Sequence, residues 1–506
     1  MTMYSDENTN TATVLSSATL VLYMRYHACE MANSTEIVYA SATKLAAMIR
    51  DKQVSPTEVL DAHIARIEEV NPRLNALVTL TLDRARAAAA ESEARIARGE
   101  TLGALEGVPV SIKDTIETAG VRTVSGTRLR ENHVPQVDAP VVARLKRAGA
   151  VVLGKTNVPE CAMDLRSENA VFGRTSNPFN LTRVPGGSSG GEAASIAAGC
   201  SAAGVGSDMG GSIRIPAHFC GIAGLKPTPG RVPGSGHFPG AAFGPLALGT
   251  SLGPMARRVE DLALLYGVLA GFDPADPMSV PFATRDYSQL SLEKMRVMFY
   301  TNDGIAPVTA ATDAAVRRAA RALADAGAEV VEQRPKGIER SHELWGRFLS
   351  EPAMPGLFSL YRGREDMMGP LMRAMSKMPA SVPPEEAMER YLRAWAGRDK
   401  LRASVVGEMM EFPILLAPVA SIPAFAHGHR GQFDVDGELV DYLKVFSYSQ
   451  AFNALGLPVT VVRCGTSPED LPIGVQVVGR PWDEELTLKA AAAIESAVGE
   501  YQRPIL

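Results

Sequence analysis

Two serines stand on glycine-rich backbone: Ser188 in Gly186-Gly187-Ser188-Ser189-Gly190-Gly191, and Ser212 in Asp208-Met209-Gly210-Gly211-Ser212-Ile213-Arg214. They are 24 positions apart, and Lys113 ends the apolar run Val108-Pro109-Val110-Ser111-Ile112, 75 positions before Ser188. A serine hydroxyl is a weak nucleophile until a base takes its proton. A lysine at the end of an apolar strand is partly desolvated. Burial disfavours its charge, so its pKa falls from about 10.4 toward neutrality. The neutral amine can accept a serine proton, directly or through a bridging hydroxyl, and no histidine is needed. The glycines let the backbone approach a substrate and turn N–H groups toward one point, which suits a developing oxyanion. These residues predict a hydrolase that attacks a carbonyl carbon.

Competing motifs are weaker. Gly186-Gly187-Ser188-Ser189-Gly190 fits the G-x-S-x-G elbow, which needs a strand directly before it and a histidine late in the chain. The preceding Asn177-Pro178-Phe179-Asn180 is loop chemistry, and His427 and His429 sit in a Gly/Pro-rich stretch. Ser41-Ala42-Thr43-Lys44 fits S-x-x-K, but Ser41 is explained as a helix N-cap. His218, near the second serine motif, is read as structural or pocket-lining. With no H-E-x-x-H, no phosphate-binding loop and no spaced carboxylate pair, neither a metal nor another cofactor is expected.

The elements that must hold these groups alternate. Strand-like runs at Val108 to Ile112 and Ala150 to Leu153 flank a helix with Asp138 as its cap, Pro140 in its first turn and Gly149 as its stop. A helix over Glu192 to Ala198 leads to a strand-like Ala202 to Ser207, which bends through Gly210-Gly211 into Ser212. Such alternation predicts parallel strands with helical crossovers. Further strands are expected at Lys294 to Tyr300, Glu329 to Glu332, Val459 to Val462 and Gly474 to Val478. Helices are expected at Ala310 to Ala326 and near Glu485 to Val498.

The chain has 506 residues, 46% hydrophobic and 21% charged, with a net charge of −5. This is ordinary globular composition with no footprint for nucleic acid. Cys29, Cys161, Cys200, Cys220 and Cys464 are scattered without a CxxC pair, which predicts reduced thiols in a cytoplasmic protein. Val14 to Met24 is too short to span a membrane, and no membrane partner is expected. Residues 1–35 are expected to be a disordered or loosely docked tail, with Met31 as the natural start.

The chain resembles the amidase signature family from about Ala42 to the C-terminus. The likeness is carried by Gly107 to Asp114, Gly154-Lys155-Thr156-Asn157, Gly186 to Gly191, and Asp208 to Pro216. It continues through Gly221-Ile222-Ala223-Gly224-Leu225-Lys226-Pro227-Thr228 and Leu471 to Gln476. The resemblance implies one large α/β domain over 36–506, with a mixed, mostly parallel, twisted central sheet covered by helices. It implies a Ser-cisSer-Lys triad: Ser212 as nucleophile, Ser188 as bridge after a non-proline cis peptide, and Lys113 as base and later acid. Backbone N–H groups of Met209, Gly210, Gly211 and Ser212 would form the oxyanion hole, with Ser189, Asp208 and Arg214 in support. It also implies an acyl-enzyme and a homodimer.

A methionine-rich, aromatic stretch over 342–402 reads either as helical core or as an adaptable apolar pocket wall. Met163, Gly187 and Trp345 are candidate substrate contacts. This favours a small, neutral, apolar amide, such as an aryl or acyl anilide, or a related urea or ester. The alternatives are the glutaminase subunit of a tRNA-dependent amidotransferase and a catalytically idle binding member of the family.

Overall fold

Apolar β-branched runs and alanine-rich amphipathic stretches alternate along the chain, and each finds its partner in one sheet with helices packed on it. The computed structural model describes residues 34–240, 244–378 and 383–506. Eleven strands form a single mixed sheet. Their spatial order is Leu77–Leu80, Val151–Thr156, Pro109–Lys113, Ala203–Asp208, Ser251–Ala256, Ala223–Lys226, Val459–Thr466, Pro472–Gly479, Ile414–Pro418, Arg296–Phe299 and Glu329–Glu332.

Parallel ladders lie toward the two flanks, with the edge strand Leu77–Leu80 antiparallel to Val151–Thr156. Pro109–Lys113 runs parallel to both Val151–Thr156 and Ala203–Asp208. On the far side Arg296–Phe299 runs parallel to Ile414–Pro418 and to Glu329–Glu332. Helical crossovers make these links, Pro140–Arg147 and Gly190–Ala197 near the first group and Ala310–Asp325 in the second. The centre is antiparallel, from Ala203–Asp208 through Ser251–Ala256, Ala223–Lys226 and Val459–Thr466 to Pro472–Gly479. The last two strands are joined by a tight connection closed by Ser467 N–H on Leu471 C=O at 2.8 Å.

Local signals acted as read at Ser41, whose Oγ accepts the Lys44 N–H at 3.0 Å and caps Ala42–Arg50. Asp138 is not the cap of Pro140–Arg147. That position belongs to Ala139, and the Asp138 carboxylate instead accepts the Ala119 N–H and the Lys146 ammonium. A longer-range partner outcompeted the local one. The expected tail and Met31 start fall on residues 1–33, outside the described residues, as does Cys29; positions 34 and 35 lie in a helix over 34–39. No described helix is long and apolar enough to cross a membrane.

The stretch over 342–402 forms short helices at Ser341–Trp345, Glu351–Ser359 and Pro370–Ser376, then the long helix Pro384–Met409. It contributes to two apolar clusters. Leu357, Tyr361, Met368 and Met372 pack with Cys161, and Met163 and Phe238 lie against them. Trp345, Phe348 and Leu349 pack with Ala454, and Tyr391 and Trp395 cover them. Met378 and Met388 remain exposed.

Leu225 lies on a central strand, is fully buried and belongs to the largest core cluster. Leu225→Ala is expected to cost about 2–5 kcal/mol, seen as a lower denaturation midpoint with the site chemistry intact.

Candidate active site

Lys113 is the last residue of Pro109–Lys113, every residue of which is buried. Parallel strands deliver their carboxyl ends to one edge, where open α/β sheets place their ligands. Lys113 Nζ lies 2.7 Å from Ser188 Oγ, 2.9 Å from Ser207 Oγ and 3.3 Å from the Ser207 carbonyl oxygen. Burial lowers its pKa to about 7, against the opposing pull of the Asp208 and Glu192 charges. A base poised near neutrality is the state that proton transfer needs.

Ser188 follows a cis peptide from Gly187. A side chain on Gly187 would stand 2.7 Å from the Asp164 carbonyl oxygen, so the residue's use is close backbone packing beside Ser188. Helix Gly190–Ala197 starts immediately afterwards. The Ser189 N–H donates to the Ser212 carbonyl at 3.1 Å, which ties the two serine loops together. Ser189 Oγ bonds to the Ser207 backbone on the other side.

The second loop is wound around one carboxylate. Asp208 Oδ1 accepts the Gly211 N–H at 2.9 Å, and Oδ2 accepts that of Ile213 at 3.0 Å. Arg214 closes a two-point pair through Nε at 3.0 Å and Nη2 at 2.9 Å, with both side chains fully buried. Burial alone would raise the Asp208 pKa, but the charge and hydrogen bonds of Arg214, with the Lys226 charge and the Asn453 hydrogen bond, together outweigh it and hold the carboxyl well below its ordinary range. Arg214 is anchored in turn by the Ser449 carbonyl and Gln476 Oε1. Gly211 takes φ of 111°, a conformation that favours glycine and turns the chain here.

This winding corrects one expectation. The Gly211 N–H is committed to Asp208, while the N–H groups of Met209, Gly210 and Ser212 have no partner among the described residues. Ser212 is partly accessible and its hydroxyl likewise has no partner among the described residues. The site thus offers an unpaired hydroxyl and unpaired donors beside a buried amine–hydroxyl pair. That arrangement can deprotonate a serine and receive an oxyanion.

Three groups escaped the sequence reading. Ser207 sits next to Asp208 and reaches Lys113 only because two strands pair in parallel. His237 holds Ser207 Oγ at 2.8 Å from a loop with no pattern that marks it. Glu192, buried in its helix, accepts from Ser111 and, at 2.8 Å, from Thr156. Burial pushes its carboxyl up to about 7 despite those bonds. His218 is structural: its Nδ1 accepts the Gly474 N–H and its Nε2 donates to the Ile422 carbonyl. The thiols of Cys161, Cys200, Cys220 and Cys464 are free and buried, with burial raising their pKa values, so none is a ready nucleophile.

Trp345 is buried. Its Nε1 donates to the Met209 carbonyl at 2.8 Å, and its ring stands 2.9 Å from where a Cβ on Gly210 would be. It backs the loop that carries the unpaired N–H groups. Met163 is partly buried against the Met368 and Tyr361 cluster and directly precedes Asp164, whose backbone meets Gly187. Glu160, beside that cluster, is held by Tyr361 Oη at 2.8 Å and the Gly369 N–H at 2.9 Å.

The buried ions make two predictions. Arg214→Ala leaves Asp208 buried without its counter-charge and is expected to cost about 3–5 kcal/mol, measured by denaturation. Lys113 has a folded pKa near 7 against 10.5 unfolded, so the unfolded chain binds more protons between those values. Stability therefore rises with pH across that window. Relative to Lys113→Met, the wild type should gain thermal stability between pH 7 and about 10; parallel melting series check this.

A family description, Amidase, matches residues 58–488. The A subunit of the glutamyl-tRNA(Gln) amidotransferase of Heliobacterium modesticaldum is 36% identical over 492 residues, covering 92% of this chain and 98% of that protein. A solved chain from a vestigial protein complex, linked to the evolutionary origins of an s-triazine catabolic enzyme, superposes with a TM-score of 0.82 at 31% identity. The match covers 92% of this chain and 100% of the other. A bacterial aryl acylamidase gives 0.81 at 29% identity, with 91% and 96% covered. Sequence and fold agree over nearly the whole described chain: it belongs to the amidase signature family, hydrolases of amide C–N bonds.

Proposed function

We propose that the protein hydrolyses an amide bearing an apolar group, with Ser212 as nucleophile. The observation that carries this reading is the buried Lys113 amine 2.7 Å from Ser188 Oγ, in a site where the Ser212 hydroxyl and the N–H groups of Met209, Gly210 and Ser212 are unpaired among the described residues. Neutral Lys113 takes the Ser188 proton while Ser188 takes that of Ser212, and Ser212 Oγ bonds to the carbonyl carbon. The oxyanion is received by the N–H groups of Met209, Gly210 and Ser212. Collapse breaks the C–N bond, and the proton held on Lys113 returns through Ser188 to the leaving amine. Water then repeats the sequence on the acyl-enzyme and restores Ser212. Each N–H on the oxyanion is worth on the order of 3 kcal/mol in the transition state.

The apolar part of the substrate is assigned to the wall formed by Met163, Phe238, Met354 and Met367, where unbranched thioethers adapt to varied shapes. A second reading, glutaminase within a multi-component amidotransferase, is favoured by the 36% identity to the Heliobacterium amidotransferase chain. That reading requires a polar pocket for glutamine and partner chains.

Amine release from aryl amides, aliphatic amides, arylureas and free glutamine separates the two, with Ser212→Ala as the blank. Turnover of apolar amides is expected, and turnover of glutamine alone would replace this reading by the second. Ser212→Ala and Lys113→Ala should each lower kcat by about a thousandfold or more, since residues acting as a unit fail together. Because neutral Lys113 is the base, kcat/KM should rise as pH is raised through about 7. A flat profile from pH 5 to 9 would exclude Lys113 as the titrating base.

A further inference from the structure

Lys113 Nζ has three oxygen neighbours, and the proton positions on two of them are fixed by chemistry. The Ser207 carbonyl, at 3.3 Å, is an acceptor only and must receive an N–H. The proton of Ser207 Oγ is decided by His237. The Nδ1 of His237 lies 2.7 Å from the Pro239 carbonyl, which cannot donate, so Nδ1 carries the hydrogen. In the neutral ring Nε2 is then the acceptor, and the Ser207 hydroxyl, 2.8 Å away, donates to it. Ser207 Oγ can therefore only accept from Lys113, at 2.9 Å. A neutral amine has two N–H bonds and one lone pair. Both N–H bonds are spent on Ser207, and the lone pair is left facing Ser188 Oγ at 2.7 Å.

We propose that His237 is a positioning residue which, through Ser207, aims the lone pair of Lys113 at the Ser188 hydroxyl. This rests on the reading of Lys113 as the base and adds a member to the proton path.

The loop holding His237 is built for the task. The Gly236 carbonyl accepts the Glu117 N–H at 2.8 Å, and the Phe238 N–H donates to the Thr115 carbonyl at 2.8 Å. Ser125 Oγ donates to the Phe238 carbonyl at 3.0 Å. Histidine and lysine are thus fixed to the same stretch of chain, the residues that directly follow Lys113. The neighbouring Phe238 lies in the apolar wall, so the turn that sets the base also shapes the pocket. Burial is the main cause that keeps the His237 ring neutral, and the charges of Arg130 and Lys155, with that of Lys113 whenever it is protonated, reinforce it. Asp208 and Glu192 are the charges that act on Lys113.

The test reads the rate of covalent labelling of Ser212 by a fluorophosphonate probe from pH 5 to 10, which needs no knowledge of the natural substrate. Without an acceptor at position 237, the Ser207 hydroxyl turns to donate into the Lys113 lone pair. That competes with Ser188 and favours the neutral amine. His237→Leu should therefore lower the plateau rate by about tenfold and move the acid limb to lower pH. His237→Gln, which keeps an acceptor, should stay within about threefold of wild type. In a Ser207→Ala background His237→Leu should change the rate by less than about twofold, because the route is already cut.

A loss that persists undiminished in that background, or an acid limb moving up as in a loosened and wetter site, overturns the proposal alone. Labelling insensitive to Lys113→Ala overturns the reading beneath it as well.

Discussion

Everything at this site follows from placing a lysine amine inside the protein without a direct carboxylate partner. In water the amine is a cation and useless as a base. At the end of Pro109–Lys113, walled by the sheet and its helices, desolvation brings it to about 7. The nearest groups are hydroxyls and a carbonyl rather than a carboxylate. A direct ion pair would have held the charge in place. The nearby carboxylates are instead diverted. Asp208 is saturated by Arg214 and backbone N–H groups, and Glu192 is held by Ser111 and Thr156.

Asp208 serves the site in a second way. By gathering the N–H groups of Gly211 and Ile213 it fixes the curvature of the loop, and curvature decides which N–H groups face outward. Arg214 reaches from that carboxylate to Ser449 and Gln476, so the loop's shape is tied to the antiparallel centre and the C-terminal half of the chain. The indole of Trp345 backs the same loop from the methionine-rich stretch. That ring couples the helices over 342–402 to the loop.

That stretch divides by exposure. Met368, Met372 and Tyr361 are core, Met354 and Met367 lie partly open beside Met163, and Met378 and Met388 are surface. Methionine content alone could not divide them, because the side chain is tolerated in all three settings. The cluster's polar fastening, Glu160 to Tyr361 and Gly369, joins residues some two hundred positions apart and has no local signature.

By itself the sequence determined the elements whose cause is local: the Ser41 cap, the helix Ala310–Asp325, the flanking strands, and the two glycine-serine loops with Lys113 ending a buried strand. Hydrophobic period, capping chemistry and glycine conformation act over a few residues and can be read there. It did not reveal Ser251–Ala256, which carries Gly253 and Pro254 against ordinary strand preference, nor Ile414–Pro418, masked by Pro413 before it and Pro418 at its end. Those strands form because the sheet supplies partners on both sides. Only the tertiary structure decided that Asp138 bonds Ala119 and Lys146 instead of capping a helix, and that the Gly211 N–H belongs to Asp208. Only it brought Ser207 and His237 to the lysine. In each case the winning partner is set by where the sheet brings distant segments together, and hydrogen-bond geometry at 3 Å is not encoded in spacing along the chain.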